Sequence, residues 1–231
     1  MHIGIIAVSP EGSSLCYRLI MSKAATRCAP ERQPTVSMHS LPFSRYMAAI
    51  EQNNWTAIGE MLVESAKALA RAGAKVCVLP DNVAAHASSL AENASPIPWM
   101  SMVDLVADAV ANDHRRTVGL LGVKQVTFGS TYQAALGMRG VTVLVPEERE
   151  ADDVDRIIFE ELVHGRCSQP SRERVMGILG TLQQRGCEGV IVGCTELPLL
   201  FTSDPTPLPL YDSVDHLAEA AVAAAINATD D

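Results

Sequence analysis

Two side chains in this sequence stand where a protein places groups that transfer protons. Cys194 follows the apolar run 190–192 directly after Gly193, and Asp81 follows the apolar run 75–80 in the first half of the chain. A thiol ionises near pH 8.5 and an aspartate near pH 3.9, and burial or neighbouring charges move either value. Because ligands bind at the carboxyl ends of parallel strands, we expect both residues to serve acid–base chemistry on a small molecule.

Further polar residues stand close to the same predicted strand ends. Asn82 and Thr195 are suited to bind a substrate carboxylate. Ser13 and Ser14 lie in a hydroxyl-rich turn after the first strand and could bind the same group or a second polar end, although an ordinary strand–helix turn explains them as well. That turn has neither a GxGxxG nor a GK[ST] pattern, which argues against nucleotide binding. Arg45 is either a clamp for a distal carboxylate or a surface arginine.

The elements that must position these residues alternate between strand and helix along the whole chain. We assign strands to 2–8, 35–39, 75–80, 117–121, 141–145, 189–192 and 206–210, with helices between them. This alternation predicts an α/β fold with parallel sheets and right-handed crossovers. The helix ending before each of the two key strands closes with a glycine, Gly73 or Gly186, so the two halves look like the products of a duplication.

The chain is expected to form two lobes, because the strand–helix pattern restarts after a segment with two prolines, 95–100. We assign residues 1–97 and 207–231 to the first lobe and residues 98–206 to the second. Two such lobes facing each other would place Asp81 and Cys194 on opposite walls of one cleft. Helix N-termini following both strand ends would then stabilise a negatively charged intermediate between them.

Composition excludes several classes of function. The net charge of −9 argues against a nucleic-acid partner, and no apolar run is long enough to predict a membrane span. The six cysteines form no C-x-x-C pair and no cluster with zinc spacing, so we expect no metal. The first residues lack the basic lead of a signal peptide, and a cytoplasmic protein with free thiols is the expectation.

Several motifs together resemble one family. Gly193-Cys194-Thr195-Glu196 after its apolar strand resembles the second catalytic motif of the aspartate/glutamate racemases, which use no pyridoxal cofactor. The segment from Gly73 to Asn82 resembles the first motif, and the runs 157–162 and around Asp212 match further landmarks. The first motif is altered here: Asp81 stands where the family has its first catalytic thiol, and Val83 stands where threonine is usual.

The resemblance implies two Rossmann-like lobes with the active site between them, and a homodimer. It implies a racemase or epimerase of a small amino acid that needs no cofactor, in which one residue removes the Cα proton and the other returns a proton to the opposite face. Cys194 and Asp81 would be this acid–base pair. The motif positions of Asn82, Val83 and Glu196 imply contacts with the substrate. Further substrate contacts are expected from Thr195, Ser13, Ser14 and Arg45.

Three mechanisms remain open at this point, beside a degenerate relative that only binds a carboxylate. In the first, Asp81 and Cys194 form an unequal pair of bases. In the second, Cys194 alone protonates the product of a decarboxylation or lyase reaction, as in the related arylmalonate decarboxylases. In the third, Asp81 binds a cationic group of the substrate. Structural roles are open too, with Asp81 as a helix cap and Cys194 as a buried thiol. His86, His164 and His216 are expected to be structural or exposed.

Overall fold

The computed structural model describes residues 1–201 and 205–228, and its chain divides into two compact units. The first unit comprises Met1–Leu105 and Val214–Asp231, and the second comprises Val106–Ser213. Each unit contains one four-stranded parallel sheet with helices around it. The predicted α/β class with two lobes is therefore confirmed.

Eight strands form the two sheets of the described chain. They are β1 (His2–Ala7), β2 (Thr35–Ser40), β3 (Val76–Val78), β4 (Trp99–Met100), β5 (Thr117–Gly122), β6 (Thr142–Leu144), β7 (Val190–Gly193) and β8 (Leu210–Asp212). The central strands of both sheets are almost wholly buried, as expected for apolar runs covered on both faces.

Ten α-helices connect and flank the strands of the described chain. They are α1 (Pro10–Arg27), α2 (Phe43–Glu51), α3 (Trp55–Arg71), α4 (Ser88–Ala94), α5 (Met102–Asn112), α6 (Lys124–Thr127), α7 (Ser130–Gly137), α8 (Glu148–Glu160), α9 (Gln169–Gln184) and α10 (Ser213–Asn227). Local sequence sets several of their starts. Ser9 caps α1 by accepting a hydrogen bond from Gly12, and Ser168 caps α9 in the same way.

The two sheets have the same internal strand order. In the first unit the order is β2-β1-β3-β4, and in the second it is β6-β5-β7-β8. The third strand in chain order therefore lies beside the first in both sheets, and it is this strand, β3 or β7, that leads to Asp81 or Cys194. The duplication suggested by the sequence thus has a counterpart in the topology of the two sheets.

Two short strands differ from the sequence-based assignment. The proline-containing segment 95–100 was expected to cross between units, but Trp99 and Met100 form β4 and pair with Cys77 and Val78. The last strand was expected at 206–210 within the first lobe, whereas β8 begins at Leu210 and pairs with β7. The unit boundaries consequently fall near residues 105 and 213, and not at 97 and 206.

Neither key strand end leads directly into an α-helix. After Asp81 the chain forms a 3₁₀ turn, Ala84–Ala87, and after Cys194 it forms the 3₁₀ turn Leu197–Phe201. The expected helix N-termini at these points are therefore wrong. Short 3₁₀ turns have little dipole to offer, so any charge stabilisation here must come from individual N–H groups.

Candidate functional site

Cys194 is held at the carboxyl end of a central strand of the second sheet. It follows β7 directly, and β7 lies between β5 and β8, with Gly193 paired to Gly122 and Val192 to Asp212. A Cβ on Gly122 would lie 2.8 Å from the carbonyl oxygen of Gly193, so only glycine allows this close approach of the two backbones. The apolar run and its glycine thus place the thiol at the sheet edge.

The thiol of Cys194 is hydrogen-bonded to a carboxylate. Its Sγ donates to Oε2 of Glu196 at 3.1 Å, and the hydroxyl of Thr195 donates to the same oxygen at 2.6 Å. Cys194 is 7% exposed, while Thr195 and Glu196 are partly exposed. The three consecutive residues therefore form one polar cluster, in which Thr195 and Glu196 already contact each other.

The surroundings of Cys194 keep the thiol protonated. Burial raises its pKa well above the ordinary value of 9.0, and the negative charge of Glu196 raises the pKa further. The backbone N–H groups of Glu196 and Leu197 act in the opposite direction by hydrogen bonding to the sulfur. The resting residue is thus a thiol that can donate a proton, with two N–H groups in place for a thiolate.

Asp81 is engaged in the local structure of the first unit. Its Oδ1 accepts a hydrogen bond of 2.8 Å from the backbone N–H of Ala84, and its carbonyl accepts one of 3.1 Å from Ala85. These contacts make Asp81 the cap of the following 3₁₀ turn, as its residue type allowed. The side chain is partly exposed, so a capping role and contact with a ligand are compatible.

The charge of Asp81 affects the buried phenol of Tyr46. Tyr46, in α2, has no exposed surface, and burial raises its pKa, with the negative charge of Asp81 raising the pKa further. Its neighbour Arg45 points outward and lies 3.9 Å from Glu64 in an exposed ion pair. Such a pair contributes little to stability, so Arg45 keeps the freedom that a clamp would need, and that role stays a prediction.

The other predicted residues of the first unit differ in exposure. Asn82 is 8% exposed, Val83 is partly exposed, and Ser14 is exposed on α1. Ser13 is 1% exposed, and among the described residues its hydroxyl has no hydrogen-bond partner. A buried hydroxyl without a partner is costly, which makes Ser13 the stronger of the two serines as a ligand group.

Sequence reasoning missed a group of buried hydroxyls around the end of β7. Ser213 donates to the carbonyl of Val192 at 3.1 Å, and Thr127 donates to the carbonyl of Gly122 at 3.1 Å. Tyr132 is almost fully buried, and burial raises its pKa. Ser213 and Thr127 thus bond the ends of the central strands and fix the backbone next to Cys194. Their chain positions gave no signal, because only the fold gathers them.

Histidine contacts, metal-ligand groups, long helices and cysteines complete the description of residues 1–201 and 205–228. The rings of His86 and Trp55 are in contact with centroids 5.0 Å apart and planes tilted by 47°, which gives this histidine a structural contact. Within residues 1–201 and 205–228, no group of three or more His, Cys, Asp or Glu side chains is arranged to hold a metal ion. In the same ranges, no helix combines the length and the apolar character needed to cross a membrane. All six cysteines are free.

Comparison with known proteins gives matches along nearly the whole chain. A profile of the Asp/Glu/Hydantoin racemase family matches residues 5–221. An aspartate racemase homologue from Pyrococcus horikoshii OT3 is 29% identical, with a TM-score of 0.87 over 97% of this chain and 99% of that one. A Yersinia pestis protein assigned to the Asp/Glu racemases is 26% identical, with a TM-score of 0.91 and the same coverage.

A curated sequence gives a similar result over a shorter stretch. The glutamate racemase of Pseudomonas paraeruginosa (strain DSM 24068 / PA7) is 28% identical over 162 residues. The match takes in 69% of this chain and 57% of the Pseudomonas protein, so little more than half of that relative's length is represented.

Proposed function

The chain belongs to the Asp/Glu/Hydantoin racemase family, and from this premise we propose that it is a cofactor-independent racemase or epimerase of a small amino acid. The reaction exchanges the proton on Cα of an aspartate-like or glutamate-like substrate. Cys194 and Asp81 act as the acid–base pair, one on each face of the carbon. The two groups differ in kind, so kcat and KM each differ between the two directions, while the equilibrium constant of one for a true racemisation keeps kcat/KM equal in both.

One observation carries this proposal: Cys194 ends β7 in hydrogen-bond contact with Glu196, within the motif Gly193-Cys194-Thr195-Glu196. A thiol that serves only as packing is normally surrounded by apolar groups, as Cys77 is in β3. Here the thiol instead has a carboxylate and two backbone N–H groups around it. Such an arrangement suits a group that gains and loses a proton during a reaction.

Removal of a proton next to a carboxylate creates an enediolate, which needs hydrogen-bond donors. Asn82 and Ser13 supply side-chain donors in the first unit. In the second unit the hydroxyl hydrogen of Thr195 is donated to Glu196, so Thr195 contacts the substrate by accepting a hydrogen bond. Asp81 acts as a base when ionised and as a proton donor when neutral, in addition to accepting the capping hydrogen bond from Ala84. Val83 and Arg45 complete the proposed substrate contacts, the latter toward a distal carboxylate.

The experiment that tests the proposal follows Cα–H exchange. The protein is incubated in deuterated water with each enantiomer of aspartate, glutamate and a panel of other amino acids, and exchange is followed by NMR. Exchange together with the appearance of the opposite enantiomer supports racemisation. Cys194→Ser should abolish this activity, and Cys167→Ser, which changes an exposed thiol, is the matched control. An intact protein that exchanges no member of the panel would rule the racemase proposal out.

A second candidate follows from the unequal chemistry of the two groups. Cys194 is the thiol of the site, and Asp81 already caps a turn, so a reaction that needs a single proton donor fits the same residues. A decarboxylase would generate the enediolate by loss of carbon dioxide and protonate it from Cys194. Release of carbon dioxide from substituted malonates, lost in Cys194→Ser, would favour this candidate over the racemase.

The proposed setting is that of a cytoplasmic homodimer whose partners are small carboxylates. The homodimer is inferred from the family to which the chain belongs. Sedimentation equilibrium of the purified chain measures its mass directly. A mass of twice 24.7 kDa is expected, and a mass of 24.7 kDa at enzyme concentrations that support activity would refute the dimer.

A further inference from the structure

Glu196 accepts two side-chain hydrogen bonds on one carboxylate oxygen, and one of them comes from the thiol of Cys194. Two donors, the thiol and the hydroxyl of Thr195, converge on the same carboxylate oxygen, Oε2, at 3.1 and 2.6 Å. A bend over residues 194–196 brings the carboxylate back onto the sulfur two residues earlier. Among the residues that the structure describes, no lysine or arginine lies within ion-pair distance of this carboxylate.

A carboxylate without a cation is an unfavourable choice if its role is only structural. An amide at the same position would accept the same two hydrogen bonds without placing a negative charge beside a buried sulfur. The charge is useful when the neighbouring thiol must lose its proton, because a carboxylate can take that proton and an amide cannot. The arrangement follows the general pattern of a nucleophile or base with an adjacent proton acceptor.

We propose that Glu196 is the proton acceptor of Cys194, so that thiol and carboxylate work as one base. This proposal rests on the function proposed above. When Cys194 acts on the substrate, its S–H proton passes to Oε2 of Glu196, and the sulfur takes the proton from Cα. The broken bonds are S–H and Cα–H, and the new bonds are O–H on Glu196 and S–H on Cys194. In the opposite direction the thiol donates to the enediolate and recovers its proton from Glu196.

This role differs from the substrate contact that the sequence motif implied for Glu196. It also gives the hydroxyl of Thr195 the role of orienting Glu196, because this hydroxyl already donates a hydrogen bond to Oε2. The backbone N–H groups of Glu196 and Leu197 stabilise the thiolate during the short time in which it exists. The acid–base unit of the second sheet is therefore contained in the four residues 194–197.

The substitution Glu196→Gln separates the two effects of the carboxylate. It keeps the size and the hydrogen-bond acceptor and removes the charge and the ability to take a proton. Without the negative charge the thiolate forms more easily, so alkylation of Cys194 by iodoacetamide at about pH 8 should become faster, by about tenfold for each unit of pKa that is lost. Exchange at Cα should become slower by about 10²–10⁴-fold, the usual contribution of a general base.

Mass spectrometry of tryptic peptides isolates the rate at Cys194 from the rates at the other five cysteines. Glu173→Gln is the matched control, because Glu173 is an exposed glutamate of α9 that contacts Gln169. Faster alkylation combined with slower exchange supports the proposal. Unchanged alkylation shows that the carboxylate does not act on the thiol, and faster alkylation with unchanged exchange shows that it accepts no proton; either result overturns the proposal.

The two proposals can fail separately in this experiment. If the wild-type protein exchanges no amino acid, the proposed function fails, while the alkylation rates still report whether Glu196 acts on the thiol. Should Glu196→Gln lose its circular dichroism spectrum, Glu196→Asp takes its place. That variant keeps the negative charge but moves the carboxylate away from the sulfur of Cys194 by about the length of one carbon–carbon bond. We therefore expect its alkylation rate and its Cα exchange rate to lie between those of the wild type and Glu196→Gln.

Discussion

Thr195 and Cys194 donate hydrogen bonds to the same oxygen of Glu196, at 2.6 and 3.1 Å. The hydroxyl that the sequence motif suggests as a substrate ligand is therefore already committed to a neighbour. The acid–base group of the second sheet is a cluster of three consecutive side chains, and each of them can be altered with little change in volume.

Thr195→Val removes this hydroxyl while keeping the shape of the side chain. If the hydroxyl orients Glu196, kcat should fall severalfold with little change in KM, and Thr195→Ser should retain most of the wild-type rate. Steady-state kinetics with the substrate found by the exchange screen gives both constants. A large rise in KM at constant kcat would instead show that Thr195 binds the substrate directly.

Asp81 should affect stability and activity in separable ways. Asp81→Ala loses the cap of Ala84 and should lower the free energy of unfolding by about 1 kcal/mol. Asp81→Asn keeps an acceptor oxygen and should retain the stability, because asparagine caps as well as aspartate. Both variants should lose Cα exchange, since neither can transfer the proton. Urea denaturation and the exchange assay measure the two effects. Full activity in Asp81→Asn would remove Asp81 from the acid–base pair.

Asp81→Cys tests whether the first catalytic group alone has diverged from the family. A thiol here should increase the racemisation of aspartate or glutamate, because two thiols have similar basicity and an aspartate is about four units more acidic. Asp81→Ser is the matched control, since it has the size of cysteine without its acidity. Chiral chromatography of the products measures the gain. Equal racemisation rates in Asp81→Cys and Asp81→Ser would show that a thiol at this position does not restore the family's reaction.

Buried thiols should make the protein less stable in alkaline solution. Burial raises the pKa of both Cys16 and Cys77 from 9.0 to about 12. Between these values the unfolded chain loses the thiol protons and the folded chain keeps them, so the stability present below pH 9 is lost progressively as pH rises toward 12. Cys77→Ala should flatten this decline in urea unfolding, whereas Val78→Ala, a neighbouring buried truncation, should lower stability equally at all these pH values.

Two glycines should respond oppositely to alanine. At Gly122 the new Cβ would meet the carbonyl oxygen of Gly193 at 2.8 Å, and backbone cannot move aside cheaply, so we expect a loss of about 1–3 kcal/mol and reduced exchange at Cα. At Gly177, inside α9, no atom lies within 4 Å of the new Cβ. Gly177→Ala should therefore gain roughly 0.5–1 kcal/mol with unchanged activity. Thermal melts of the two variants provide the comparison.

Some of the fold followed directly from local sequence. The runs at 2–8 and 117–121 are apolar enough to be buried on both faces, and they match β1 and β5 closely. The less apolar segment 35–39 matches β2, which lies at the edge of its sheet and has no buried residue. The position of Cys194 at a strand end was predictable for the same reason, because Gly193 closes an apolar run and polar residues follow. The family resemblance was carried by these same short motifs.

The short edge strands could not be predicted in this way. The segment 205–209 contains three prolines, which have no N–H to donate to a ladder, and the pairing begins only at Leu210 opposite Val190. Trp99 and Met100 form a strand because β3 offers them an unpaired edge. A strand of two or three residues is specified by its neighbour, so local composition alone does not reveal it.

The sequence by itself determined the α/β class, the strand ends that carry Asp81 and Cys194, and the residue types available for proton transfer, since these depend on apolar periodicity and chain order. Only the tertiary structure decided what those residues contact. The bend after Gly193 directs Glu196 back to the thiol, and the turn after Asp81 takes one carboxylate oxygen as its cap. Such contacts depend on side-chain directions and backbone geometry within a few ångströms, which residue order does not specify.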